Sequence, residues 1–247
     1  MKRYFLFLFF CIASYASADL ITFLPADGIN TGNQLSLAPV VSRATYKAND
    51  VTQKGYLWGI KGQYDLLAFN APYLGFETYY MRGKLKSGAV ESTYRDFLFE
   101  GKIGLTMGIP SSYYFTPYAG VGYENERNDY TTVPIEKIDY YYVSAGVLSN
   151  LYLSPQFTAG LNLKVKFPFT GDHKVKNESV DTSLSVSKKI QYVIEVPFTY
   201  WASSNVSFSA VPYYESKKYN NNIISENWNT TAKMHQWGLA LKAVFAF

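Results

Sequence analysis

Lys233-Met234-His235-Gln236-Trp237-Gly238-Leu239-Ala240-Leu241-Lys242-Ala243-Val244-Phe245-Ala246-Phe247 is the stretch that decides the fold. At a period of two, Trp237, Leu239, Leu241, Ala243, Phe245 and Phe247 share one face, and Gln236, Gly238, Ala240, Lys242, Val244 and Ala246 share the other. Successive side chains of an extended strand point to opposite faces, so this is a strand with one apolar, aromatic-tipped face and one small or charged face. A strand of a soluble sandwich can show the same contrast. A strand ending on an aromatic carboxyl-terminal residue is less usual there.

The opposite end of the chain agrees. Lys2 and Arg3 precede an apolar run from Tyr4 to Ile12 and the small-x-small site Ala16-Ser17-Ala18. That order predicts a secretory signal peptide over residues 1–18, with a mature chain from Asp19. The run is shorter than the about 20 residues a membrane-spanning helix needs. Cys11 is the one cysteine and would leave with the leader. Phe10 before it is too large for a lipoprotein signal. The mature chain is therefore expected to hold no disulfide and no thiolate metal site.

Loss of Lys2 and Arg3 leaves 21 basic against 19 acidic residues, a net charge of about +2, which makes no electrostatic case for nucleic acid. No window of 18 apolar residues follows the leader, which excludes a helical membrane protein. Aromatic content is high at 18%, led by 23 Tyr and 17 Phe. Alternation with many tyrosines is what a transmembrane barrel needs: apolar residues toward lipid, polar ones toward the lumen, and aromatic girdles at both interfaces.

After an irregular lead-in over residues 19–32, with Pro25 and Asp27-Gly28, alternating segments recur through residues 33–247. They start near Leu35, Tyr56, Leu74, Phe97, Phe115, Tyr140, Phe157, Ile190, Val206 and Trp237. The two faces of the segment Tyr140–Leu153 do not separate. Links near Ala71, Ser111, Pro155 and Ser204 are short; those near Ser87, Asp129, Lys176 and Asn222 are long, and the one near Asn49 is the shortest of the long set. The fold expected is all-β: a single antiparallel up-and-down barrel of about ten strands, with eight or twelve as alternatives. An even count puts both ends on the short-turn, periplasmic side. Pro39, Pro117, Pro197 and Pro212 lie inside these segments, where each removes a ladder donor. The tyrosines at segment ends (Tyr79, Tyr80, Tyr113, Tyr114, Tyr140, Tyr141, Tyr142, Tyr213 and Tyr214) read as girdles.

Signal, alternation, loop rhythm and terminal Phe together resemble the small Gram-negative outer-membrane β-barrel proteins of the porin-like superfamily. The resemblance covers the mature chain and singles out no specific family. It implies an outer-membrane location and contact with outer-membrane lipid and lipopolysaccharide. It also implies recognition of the closing strand by the barrel-assembly machinery through Trp237, Leu239, Leu241, Phe245 and Phe247.

If the apolar faces meet lipid, the lumen receives Lys61, Asp65, Glu77, Asp96, Glu100, Lys102, Lys164, Lys166, Glu195 and Lys242. Adjacent strands would set Glu195 beside Lys164 and Lys166, and Glu77 near Lys102. A barrel of about ten strands is only slightly wider than the eight-stranded ones that side chains fill. The charges then form either a mutually neutralising plug or a narrow path. The function expected is porin-like passage of ions or small polar solutes, with Lys61, Glu77, Glu100, Lys102, Lys164, Lys166, Glu195 and Lys242 as pore-lining residues. The alternative is a closed lumen whose long loops, Thr170–Ser187 and Lys217–Thr231, serve adhesion or a structural role toward a host or surface ligand.

No enzyme, cofactor or metal is expected. The ten-stranded outer-membrane proteases carry an acidic pair and a His-Asp pair at the loop-side rim. Here His173 directly follows Asp172, so the two point to opposite faces, and His235 has no acidic neighbour in its strand. No Gly-x-Ser-x-Gly motif occurs. Glu124, Glu126 and Asp129 read as a solvated acidic loop rather than a site for a hard cation.

Overall fold

In the computed structural model, residues 32–48, 51–88, 90–109, 112–130, 135–177, 180–187, 190–222 and 229–247 are described. The expected signal peptide over 1–18 and nearly all of the expected lead-in over 19–32 lie outside them. The strands are β1 (Asn33–Ala48), β2 (Val51–Leu66), β3 (Ala71–Ser87), β4 (Val90–Ile109), β5 (Tyr113–Tyr130), β6 (Ile135–Tyr152), β7 (Phe157–Asn177), β8 (Val180–Ser187), β9 (Gln191–Glu195), β10 (Phe198–Trp201), β11 (Val206–Asn222) and β12 (Asn229–Ala246). Each pairs antiparallel with its neighbours. The deciding stretch closes the sheet: β12 pairs with β11 and also with β1, setting Leu35 opposite Phe245 and Val41 opposite Leu239.

Closure makes a ten-stranded barrel, because β8, β9 and β10 are pieces of one stave between β7 and β11. Pro197 accounts for the gap between β9 and β10. It has no N–H to give, yet its carbonyl accepts from Gly160 N at 2.8 Å, and Val196 N donates to Pro212 O at 2.9 Å. Pro39, Pro117 and Pro212 keep their places in register opposite Ile60, Val147 and Leu239. The ambiguity in β6 has a local cause. Tyr140 and Tyr142 are buried inside while Tyr141 and Val143 are exposed outside, so large apolar side chains occupy both faces; on the facing β7, Phe169 is the extra residue of a bulge.

Outward residues are apolar along one band. From Trp237 to Phe247 a strand rising about 3.3 Å per residue and tilted about 40° covers about 25 Å, the height of a membrane barrel's lipid-facing band. Trp58, Tyr56 and Trp237 stand exposed at its upper edge, and Tyr113, Phe157, Tyr200 and Phe247 at its lower edge. Strands of 16 to 21 residues in β1 to β7 exceed the about 9–11 needed to cross. The excess lies on one side. Segments expected as long loops are therefore ladders: β3 and β4 pair up to Ser87 opposite Val90, β7 and β8 to Asn177 opposite Val180, and β11 and β12 to Asn222 opposite Asn229. Above the membrane both faces of a strand are polar, so the apolar signal stops where hydrogen bonding does not.

The girdle assignment needs correction for some tyrosines. Tyr80, Tyr113 and Tyr141 are exposed on the outer wall, but Tyr140 and Tyr142 are buried inside the barrel, and Tyr79 and Tyr213 pack partly buried against the same interior cluster.

Candidate functional site

Period-two geometry sends Lys61 of β2, Glu77 of β3, Glu100 and Lys102 of β4, Lys164 of β7 and Glu195 of β9 into the lumen, where they meet in one layer. Lys61 Nζ lies 2.8 Å from Glu195 and 3.3 Å from Glu77. Lys164 Nζ lies 2.6 Å from Glu100 and 3.2 Å from Glu77, and Lys102 pairs with Glu77 and stands 4.0 Å from Glu100. Glu77 thus touches all three ammonium groups. Ser144 Oγ donates to Glu100, Asn162 Nδ2 donates to Glu195 at 3.2 Å, and Lys102 sits 5.5 Å from the Tyr118 ring centre. Three lysines meet three glutamates, so the layer is formally neutral. Burying such charges is costly unless every one is paired, and here each is.

A second layer lies toward the overhanging hairpins. Lys166 Nζ is 2.9 Å from Glu124 and 2.9 Å from Glu215. Lys217 Nζ is 2.6 Å from Asp96 and 3.2 Å from Glu126, and pairs with Glu124. Tyr94 Oη donates to Glu126 at 2.7 Å, and Tyr79 Oη to Asp96 at 3.0 Å. Asp96, Glu124 and Glu126 each bring a carboxylate oxygen within 4.8 Å of the others, the spacing of a cation cage. The ammonium of Lys217 fills its centre. Further out, Tyr46, Leu57, Met81, Leu85 and Met234 close the interior with apolar packing.

Below the neutral layer the barrel opens at the short-turn rim into a narrow vestibule with about 100 Å³ of room for water-sized molecules. Gln34, Ser36, Asp65, Asn150 and Lys242 line it. Lys242 Nζ donates to the neutral Gln63 Oε1 at 3.0 Å and has no ion pair among the described residues.

Of the eight pore-lining candidates, seven come together in the two layers and Lys242 stands apart in the vestibule. The expected Glu77–Lys102 pair forms. Glu195 does not meet Lys164 or Lys166: its register neighbour on β7 is Asn162, and its carboxylate reaches across the lumen to Lys61. Glu124 and Glu126 are buried, not solvated, whereas Asp129 faces outward and pairs with Arg95 and Arg127. Glu215 and Lys217 were also hidden from sequence reasoning. The signal was present, since Glu124 and Glu126 continue the inward phase of Gly122, and Glu215 and Lys217 that of Val211. The closing-strand residues Trp237, Leu239, Leu241, Phe245 and Phe247 are exposed on the lipid-facing wall. His235 lies on that wall, with Nδ1 2.8 Å from Tyr214 Oη; the side chain of His173 lies outside the described residues.

No protein-family model matches the chain, and no curated protein matches it. Solved structures do. The translocator domain of the autotransporter NalP from Neisseria meningitidis is 9% identical with a TM-score of 0.54, over 96% of this chain and 95% of that one. The outer membrane protease OmpT from Escherichia coli is 10% identical with a TM-score of 0.58, over 90% and 99%. The transport unit of the autotransporter AIDA-I from Escherichia coli is 11% identical with a TM-score of 0.51, over 95% and 97%. At such identities the likeness is one of fold. The chain has the fold of the outer-membrane β-barrels, with the lipid-facing band and aromatic edges of a protein that resides in that membrane.

Proposed function

We propose that this is a closed-lumen outer-membrane protein, secreted through the leader at residues 1–18, whose work is done by the hairpins overhanging the cell surface. The observation that carries the reading is Glu77, which is 5% exposed and held by three lysines at once. An ion entering from the vestibule meets six charges already paired with one another. Passage in a porin-like manner requires that layer to open, and breaking one buried pair costs about 3–5 kcal/mol. Overhanging ladders suit contact with a surface ligand, because they project backbone-stiffened side chains clear of the lipid. A catalytic role has less support: His235 is committed to Tyr214 on the lipid-facing wall.

The test is hairpin replacement. The β7–β8 and β11–β12 overhangs are cut back to two-residue Asn-Gly turns, and cell adhesion and liposome swelling are measured together. Lost adhesion with unchanged swelling is the expected result. Swelling that changes with adhesion intact favours the porin-like reading.

A further inference from the structure

The outer wall changes character just above the lipid-facing band. Outward residues of β1 run Leu37, Pro39, Val41 and then Arg43; those of β2 run Ile60, Trp58, Tyr56 and then Lys54; those of β3 run Tyr80, Arg82 and Lys84. Register brings the cations together. Tyr56 is opposite Arg43 on one side and Lys84 on the other, Trp58 is opposite Arg82, and Lys54 is opposite Lys86. With about 4.8 Å between strands and about 6.6 Å between alternate residues, Arg43, Lys54, Arg82 and Lys84 surround Tyr56 within a patch of about 10 by 13 Å.

Charge balance sets the β1–β3 side of the wall apart from the β4–β6 side, and Lys47, Lys233 and Lys218, opposite one another on β1, β12 and β11, extend it upward with no acidic partner among the described residues. Around the wall, Arg95 and Arg127 share Asp129, and Lys137 has Asp139 at 2.8 Å. Lys84 and Lys86 share Glu91. Arg43, Lys54 and Arg82 are exposed and have no acidic partner among the described residues. Tyr56 and Trp58, 69% and 64% exposed, mark the headgroup level. Directly below, Val41, Ile60 and Leu239 present an exposed apolar surface. Unpaired guanidinium and ammonium groups over an aromatic step and an aliphatic wall match a phosphorylated amphiphile, with phosphate above and acyl chains below.

We infer that the β1–β3 outer wall is a binding site for the phosphates of lipopolysaccharide. Arg43 and Arg82 clasp phosphate oxygens in bidentate fashion, Lys54 adds a point charge, and the acyl chains lie on Val41, Ile60 and Leu239. The inference rests on the outer-membrane location, and is independent of whether the lumen conducts.

The test uses the refolded full barrel in a neutral detergent, with diphosphorylated lipid A as probe and native mass spectrometry as readout. Retention of lipid A by the wild type is expected, with at least tenfold weaker binding by the triple variant Arg43→Gln, Lys54→Gln, Arg82→Gln. Heat-dependent gel mobility confirms that the variant is folded; should it not fold, the single variant Arg82→Gln takes its place, with a smaller loss in the same direction. Arg127→Gln with Lys137→Gln, on the balanced part of the rim, should bind as the wild type does. A phosphate-free lipid A should bind at least tenfold more weakly. Undiminished binding by the variants, or equal binding of the phosphate-free lipid, overturns the site. Displacement by inorganic phosphate at the same concentration overturns the lipid as its ligand and leaves a site for free anions.

Discussion

Lys164 Nζ donates to Glu77 Oε1 at 3.2 Å across the lumen, although 87 residues and the strands β4, β5 and β6 separate the two. This bond ties opposite walls of the barrel together. Glu77→Gln keeps the shape but leaves Lys61, Lys102 and Lys164 sharing two carboxylates. A loss of about 3–5 kcal/mol is expected from the stranded buried charge. Urea unfolding of the barrel in lipid vesicles, followed by tryptophan fluorescence, measures it.

Lys217 is fully buried among Asp96, Glu124 and Glu126. Lys217→Met removes the cation that holds these carboxylates together and should destabilise the barrel by a similar amount. The vacated cage offers three hard oxygens at ligand spacing. Millimolar Ca²⁺ present during refolding should then raise the variant's unfolding temperature and leave that of the wild type unchanged.

How much of this was legible depended on which signal a residue carries. Leu161 and Leu163 alternate with Asn162 and Lys164, and that alternation alone gives strand, face and topology. The same alternation continues through Glu124–Glu126 and Glu215–Lys217, but there hydropathy falls because the strand has left the lipid, and a ladder in water looks like a loop. The Glu195–Lys61 pair was out of reach for a different reason. Period two says that both side chains enter the lumen; which opposing group each one meets depends on curvature and stagger, which local sequence does not encode.

The outer and inner faces also differ in what they tolerate. Leu161 is exposed to lipid near mid-band, so Leu161→Arg should cost about 2–4 kcal/mol. From sequence, a charge at the inward Thr106 is expected to be milder than at its neighbour Leu105. The structure reverses that expectation, because Thr106 is fully buried and its Oγ1 lies 3.0 Å from that of Thr116. Thr106→Arg should be at least as damaging as Leu161→Arg in the same unfolding assay.

At the tip of the β3–β4 hairpin, outside the membrane, hydrogen bonds from Lys84 and Lys86 pull the Glu91 carboxyl down from 4.5 to about 2. A carboxyl whose folded value is depressed stabilises above its unfolded value and loses that contribution as pH falls toward the folded one. The hairpin should therefore loosen between about pH 4.5 and pH 2, and Glu91→Gln should abolish the dependence. Amide exchange at the tip as a function of pH reads it directly.

Closure of the lumen by paired charges is tested most directly by conductance of the refolded barrel in a planar lipid bilayer. A folded, inserted and electrically silent wild type is the expected result, with openings appearing only when Glu77 and Lys164 are both replaced by Ala. Discrete wild-type openings whose ion selectivity changes with Lys164→Glu would contradict it and make the two charged layers the walls of a channel.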